Sequence, residues 1–227
     1  MAFPGLAERL AEIRGRIDAA VARGGHGQSV TVIAVTKTHG PQAAQAAYEA
    51  GLHDVGENKV QEALKKMEAV DVPVRWHLIG HLQRNKVKAV ERFAMLHSLD
   101  SSRLADSVCS LGLANRRAVD ALVEMNLSGE DSKHGFSTSE LLPEAERLVA
   151  LSGIRIRGVM TMASFTANEA ELHRTFAEAR AARDVLTGVG HPATELSMGM
   201  SSDYEIAVEE GATMVRIGTT LFGARGK

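Results

Sequence analysis

Lys37 has the setting that says most about chemistry. It directly follows the apolar and β-branched run VTVIAVT, residues 30–36. A lysine at the C-terminal tip of such a strand points into the mouth of a barrel. Partial desolvation there disfavours the ammonium and leaves an amine able to attack an aldehyde. The same position also suits a solvated lysine on a strand-to-helix loop, and position alone does not choose between them. Two segments near the C-terminus supply a complement, SMGMSSD (197–203) and RIGTTLFG (216–223). Their glycines let backbone approach a ligand, Ser201 and Thr219 offer hydroxyls, and the segment after Gly218 predicts free N–H groups suited to an anion. Either loop alone is equally consistent with tight turns; the pair predicts a phosphate pocket. Asp203 would repel a phosphate and reads as part of a helix start.

Other reactive types point elsewhere. His77 and His81 form an H-x-x-x-H that spans a strand end, which places the two rings in different environments. No cysteine or paired carboxylate completes a shell around them, so no metal is expected. The methionines of GVMTM (158–162) and SMGM (197–200) suit core packing, although Met160 on an upper rim would lie beside a flat ring. Cys109, in the helical stretch LADSVCSLGL, reads as packed core. As the single cysteine it excludes an intrachain disulfide and fits a cytoplasmic address.

Positioning these residues requires strands that alternate with helices, and the chain has that rhythm. Apolar runs predict strands at 30–35, 53–56, 74–80, 95–99, 119–127, 154–162, 193–198 and 213–218. Leu6, Leu10, Ile13, Ile17 and Val21 predict a leading amphipathic helix that ends by Gly24 and Gly25. Ser137 with Glu140 predicts a capping box, Ser202 with Glu205 a second, and a long helix is expected over 169–186.

Eight strand–helix units in 227 residues predict an α/β fold, a single (β/α)8 TIM barrel with an extra N-terminal helix, residues 1–227 forming one domain. The competing doubly wound sheet often carries a G-x-G-x-x-G after its first strand, and none stands here. Barrel sites sit at the C-terminal strand ends. Lys37, Glu57, Asn58, His81, Asn126, Thr161, Ser197 to Ser201, Arg216, Gly218 and Thr219 all fall at those ends.

Bulk properties exclude other classes. The net charge of −2 gives no bias toward nucleic acid or anionic membrane. Apolar stretches fall far short of the roughly 20 residues of a spanning helix. Charges scattered from Glu8 onward predict no secretory signal. Arg84, Lys86 and Lys88 read as a solvated helix face.

The motifs taken together are AVTKT around Lys37, VGENKVQE (55–62), WHLIGHLQRNK (76–86), KHGF (133–136), GVMTM (158–162), LSMGMSSDYE (196–205) and VRIGTTLFG (215–223). In this combination the chain resembles the pyridoxal phosphate homeostasis protein family, whose members look like the barrel domain of alanine racemase standing alone. The resemblance implies a barrel of the alanine racemase N-terminal type that holds pyridoxal 5'-phosphate as a Schiff base on Lys37. It implies that Ser201 and the backbone at Gly218 and Thr219 hold the phosphate. Arg216 would face the pyridine nitrogen, and Asn58, His81 and Met160 would line the ring. An arginine donor favours the neutral ring over the pyridinium, a stronger electron sink.

The sequence ends at RGK a few residues after the eighth strand, with no length for the second, β-rich domain of alanine racemase. Racemisation wants a base on each face of Cα. The expectation is therefore a non-enzymatic, monomeric, cytoplasmic protein in vitamin B6 homeostasis, with apo-enzymes as candidate recipients of the cofactor. A small pyridoxal-phosphate-dependent amino acid racemase or decarboxylase, with His81 or another rim residue as second base, is the alternative. A Schiff-base aldolase without cofactor is more remote.

Overall fold

The computed structural model describes residues 3–127 and 134–223. Eight parallel strands close a barrel in chain order: β1 (Thr31–Val35), β2 (Asp54–Glu57), β3 (Arg75–Leu78), β4 (Met95–Leu99), β5 (Val119–Met125), β6 (Ile154–Thr161), β7 (Glu195–Met200) and β8 (Met214–Ile217). The ring shuts where β1 lies beside β8, with Thr31 opposite Met214 and Ile33 opposite Arg216. Around it run α1 (Leu6–Gly24), α2 (Gln42–Glu49), α3 (Val60–Ala69), the 3-10 helix Arg84–Arg92, α4 (Ser102–Ala114), α5 (Thr138–Val149), α6 (Glu169–Gly188), α7 (Tyr204–Glu209) and α8 (Thr219–Phe222). The (β/α)8 barrel with a leading helix is thus as the sequence predicts. No helix among the described residues is long and apolar enough to cross a membrane.

Strand residues alternate between two environments because successive side chains point to opposite faces. One parity, including Val32, Ala34, Val55, Leu78, Leu96, Val123, Val159, Leu196 and Val215, joins a continuous apolar layer with the helices. The other parity faces the lumen. His77, His97, Ser197 and Arg216 come from β3, β4, β7 and β8 and hydrogen-bond to one another, which only the interior of the barrel allows. Leu6, Leu10, Ile13 and Ile17 bury one stripe of α1, and that helix packs chiefly on α7.

Local signals were met at some ends and not at others. Ser137 and Glu140 form the expected capping box of α5. Asn168 and Glu171 form another at α6, with reciprocal bonds of 2.8 and 3.0 Å. The box expected from Ser202 and Glu205 does not form. Asp203 takes the cap position of α7, its carboxylate accepting the Met200 N–H at 2.5 Å, and Glu205 turns to Arg16 of α1. The seventh strand ends two residues later than expected, because β7 keeps its pairing with β8 as far as Met200, opposite Arg216. Gly199 makes the turn beyond it feasible. Its φ is +88°, and a Cβ there would stand 2.6 Å from that of Ala207.

Candidate functional site

A cavity of about 660 Å³ opens at the C-terminal ends of the strands. Lys37, Asn58, His81, Asn126, Ser201, Arg216, Gly218 and Thr219 all line it. Met160 does not. Strand β6 continues to Thr161, so Met160 sits inside the ladder, buried in register with Glu124 and Ser197, and the rim position belongs to Met162. Glu57, Thr161 and Ser197 also stand at strand ends without lining the cavity. Lys133 of the KHGF segment and the terminal RGK lie outside the described residues.

Lys37 is partly buried, and its neighbours are fixed from behind the barrel wall. Lys66 of α3 is buried and uses its ammonium on the Thr36 carbonyl (2.7 Å), Glu57 Oε1 (2.6 Å) and Glu62 Oε1 (2.8 Å). Thr36 donates its hydroxyl to Glu57, and the Thr38 N–H donates to Glu62 at 2.7 Å. Both residues that flank Lys37 are therefore tied to one buried ion-pair cluster. Thr38 takes a φ of +69°, a left-handed conformation that turns the chain out of β1. Burial pushes the Glu57 carboxyl up, and the bonds from Lys66 and Thr36 pull it back. Sequence reading placed Glu57 among the polar residues of the mouth; by strand alternation it faces α3 instead.

The far side of the cavity joins the two C-terminal loops. The Gly218 and Thr220 N–H groups reach Ser201 Oγ at 3.4 and 3.3 Å, and Thr220 Oγ1 reaches the Ser201 carbonyl at 3.4 Å. On the third side, Gly80 lets the chain after β3 come against Asn58, since a Cβ there would lie 2.4 Å from the Asn58 carbonyl oxygen. His81 follows, and its Nδ1 donates to Asp100 at 2.7 Å.

The floor of the cavity is charged. Arg216 is buried and donates through Nη1 to the Ser197 carbonyl (2.7 Å) and hydroxyl (2.6 Å), and through Nη2 to the Thr161 carbonyl (2.9 Å). Burial pushes the Arg216 guanidinium down to about 10, against the pull of Asp203 and Glu124. Glu124 also lines the cavity. Its burial, aided by Asp100, pushes the carboxyl up to about 7, with Arg216 and His81 opposing. Such a group takes up or releases a proton near neutrality. The sequence reading did not single it out, because in VDALVEMNL it is one of three polar interruptions of a strand, with Asp120 and Asn126.

His77 and His81 are separated as expected, one in the lumen and one on the rim. His81, Asp100 and His134 nonetheless bring three ligand atoms within 4.8 Å of one another. The rings of His81 and His134 stack at 4.3 Å and 14°. Lone pairs of parallel rings lie in parallel planes and do not aim at one point, so this arrangement is a stacked His–Asp–His group rather than a formed metal shell.

The fold and the placement of its mouth define a barrel of the alanine racemase N-terminal type, and the family model described as "Alanine racemase, N-terminal domain" matches residues 9–226. A pyridoxal phosphate homeostasis protein of Aquifex aeolicus is 40% identical over 222 residues, covering 96% of this chain and 97% of the relative. One from Pseudomonas aeruginosa is 41% identical over 223 residues, covering 97% and 96%. Among solved structures, PipY of Synechococcus elongatus with PLP bound superposes with a TM-score of 0.84 at 37% identity, covering 96% of this chain and all of that one. The chain belongs to the pyridoxal phosphate homeostasis protein family.

Two outcomes follow from this geometry. Between the ordinary carboxylate range and about pH 7, the folded protein binds a proton at Glu124 that the unfolded chain releases, so this group makes stability fall as pH rises. Urea unfolding of Glu124→Gln should lack that part of the slope. The variant should gain about 2–3 kcal/mol on wild type from pH 5 to pH 8, and equal slopes would contradict the burial of this charge. Lys66→Met should cost about 3–5 kcal/mol at neutral pH by leaving Glu57 without its counter-ion, with part regained in Lys66→Met/Glu57→Leu. A loss below about 1 kcal/mol would contradict the role given to this pair.

Proposed function

We propose that this protein binds pyridoxal 5'-phosphate at the barrel mouth and acts as a holder of the cofactor in vitamin B6 homeostasis. The observation that carries this is the convergence of the Lys37 side chain, the Arg216 guanidinium and the Ser201–Gly218–Thr219 corner on one cavity. When bound, the cofactor supplies an aldehyde that condenses reversibly with a primary amine. All other features are the chain's own.

The donor set fits that group. Lys37 is the amine at the cavity wall. The N–H contacts of Gly218 and Thr220 to Ser201 Oγ, at 3.4 and 3.3 Å, are at the long limit for such bonds. A phosphate oxygen at the same corner would draw shorter, charge-assisted bonds from the Ser201 hydroxyl and the Gly218 and Thr219 backbone. Helix α8 has only four residues, so local N–H groups rather than a helix dipole do this work. Arg216 can only donate, so beside the pyridine nitrogen it keeps the ring unprotonated and a poor electron sink. Asn58 and His81, which line the cavity, would flank the ring, while Met160 lies buried below without reaching the cavity. The relatives named for pyridoxal phosphate homeostasis, and PipY with PLP bound, support the same assignment.

In this account residues 1–227 work as one monomeric domain that protects the cofactor and releases it to apo-enzymes, without turnover of its own. A second reading, a pyridoxal-phosphate-dependent racemase or decarboxylase, draws on Glu124, whose carboxyl is pushed up to about 7 on the cavity wall, and on His81. Titration with pyridoxal 5'-phosphate should raise a saturable yellow band in wild type that Lys37→Ala lacks. An amino-acid panel should show no steady-state turnover. A colourless wild type contradicts the cofactor assignment. Turnover at about 1 per second or faster, abolished in Glu124→Gln or His81→Ala, would instead establish the second reading.

A further inference from the structure

We propose that Asp54, His77, His97 and Ser197 form a one-way hydrogen-bonded chain through the barrel that orients Arg216 and links the floor of the barrel to its mouth. The contacts are continuous. Arg216 Nη1 donates to Ser197 Oγ at 2.6 Å, and Ser197 Oγ meets His97 Nδ1 at 2.9 Å. His97 Nε2 meets His77 Nδ1 at 2.9 Å, and His77 Nε2 meets Asp54 Oδ1 at 2.9 Å. Ser197, His97, His77 and Asp54 are all buried.

The two ends dictate the direction. A guanidinium only donates, and a carboxylate only accepts. His77 must therefore carry its proton on Nε2, facing Asp54. With neutral rings, its Nδ1 is an acceptor, so His97 must also carry its proton on Nε2. The His97 Nδ1 is then an acceptor, and the Ser197 hydroxyl donates to it while receiving Arg216. Reversing His97 would leave two acceptors facing each other at His77, or require a charged His77. It would also leave the Ser197 hydroxyl proton without an acceptor in the chain. Burial, with the Arg216 charge adding to it, holds the His97 imidazole well below its ordinary range, which favours a neutral His97.

Both ends meet the outside. Arg75, exposed at the start of β3, grips Asp54 through Nε (2.7 Å) and Nη2 (2.5 Å). Asp54 also lines a cavity of about 580 Å³ between α1 and the first residues of β1 and β2. Arg216 lines the mouth cavity, with Glu124 and Asp203 as its charged neighbours. A barrel lumen is ordinarily filled by branched apolar layers, and Ile33 and Leu122 remain of that kind here. A polar chain in such a place must be fully satisfied to be tolerated, and full satisfaction is what makes it directional. The positioning residues thus hold the Arg216 donors at a set angle toward the mouth.

The consequence for the mouth rests on the cofactor assignment above; the chain itself does not. Long-range proton–nitrogen spectra of the protein without cofactor test the chain directly. His77 and His97 should each appear as a single neutral ring protonated on Nε2, with His97 unchanged from pH 5 to pH 8. Detection of His97 protonated on Nδ1, of a tautomer mixture, or of its cation in that range overturns the proposal. In Asp54→Asn, whose amide can donate as well as accept, the His97 ring should become a mixture. The dissociation constant for pyridoxal 5'-phosphate should also rise at least about threefold while the yellow band persists, a shift of the size of one weakened hydrogen bond. An unchanged ring and an unchanged constant overturn the link. If that variant does not fold, Ser197→Ala serves in its place, with loss of the hydroxyl bond read at His97 Nδ1 and the same threefold criterion at the mouth. If wild type binds no cofactor, the assignment of function fails while the spectra still decide the chain.

Discussion

A guanidinium sealed inside a barrel needs an acceptor for each buried proton, and that requirement shapes much of this molecule. Arg216 is buried beneath the mouth cavity, so β6 and β7 present carbonyls to it and Ser197 adds a hydroxyl. Once Ser197 receives the arginine, its own proton has to go on, and His97, His77 and Asp54 carry the donor direction across the lumen. Removing one member leaves a buried polar atom unpaired, which costs more than the bond itself contributes. The cavity floor is consequently a fixed array of donors rather than a flexible side chain that adapts to its ligand.

The opposite wall is held by a different device. Lys66 reaches from α3 to the ends of β1 and β2, outside the lumen, and ties both neighbours of Lys37 to Glu57 and Glu62. Charge behind the wall fixes the backbone, and the Lys37 side chain in front of it lines the mouth cavity. The two buried cations therefore have complementary tasks: Lys66 sets where Lys37 begins, and Arg216 sets the ground beneath whatever Lys37 holds. Glu124, between the floor and the rim, has its carboxyl pushed up to about 7 by burial.

Much of this was legible in residue order, and the rest was hidden for physical reasons. Strand ends are local, so Lys37, Asn58, His81, Ser201 and Gly218 could be gathered from the rhythm of apolar runs alone. Lumen partners are not local. His97 and Ser197 are 100 residues apart and meet only because β4 and β7 face each other across a closed ring. Within VRWHLIG and MLHSL the histidines look like interruptions of apolar strands, and alternation hides that they share one face. Glu57 and Met160 show the same limit: one residue of register decides whether a side chain faces helix, lumen or rim. Ser202 with Glu205 fitted a capping box by spacing, yet α7 begins one residue later, with Asp203 at the cap position and its carboxylate turned back to the Met200 N–H.

The proposed function stands or falls with Lys37 as the amine that anchors pyridoxal 5'-phosphate. Borohydride reduction of the protein mixed with the cofactor, followed by peptide mapping, tests it most directly. A stoichiometric phosphopyridoxyl group is expected on the peptide that carries Lys37. Label confined to another lysine, or none at all, would contradict it.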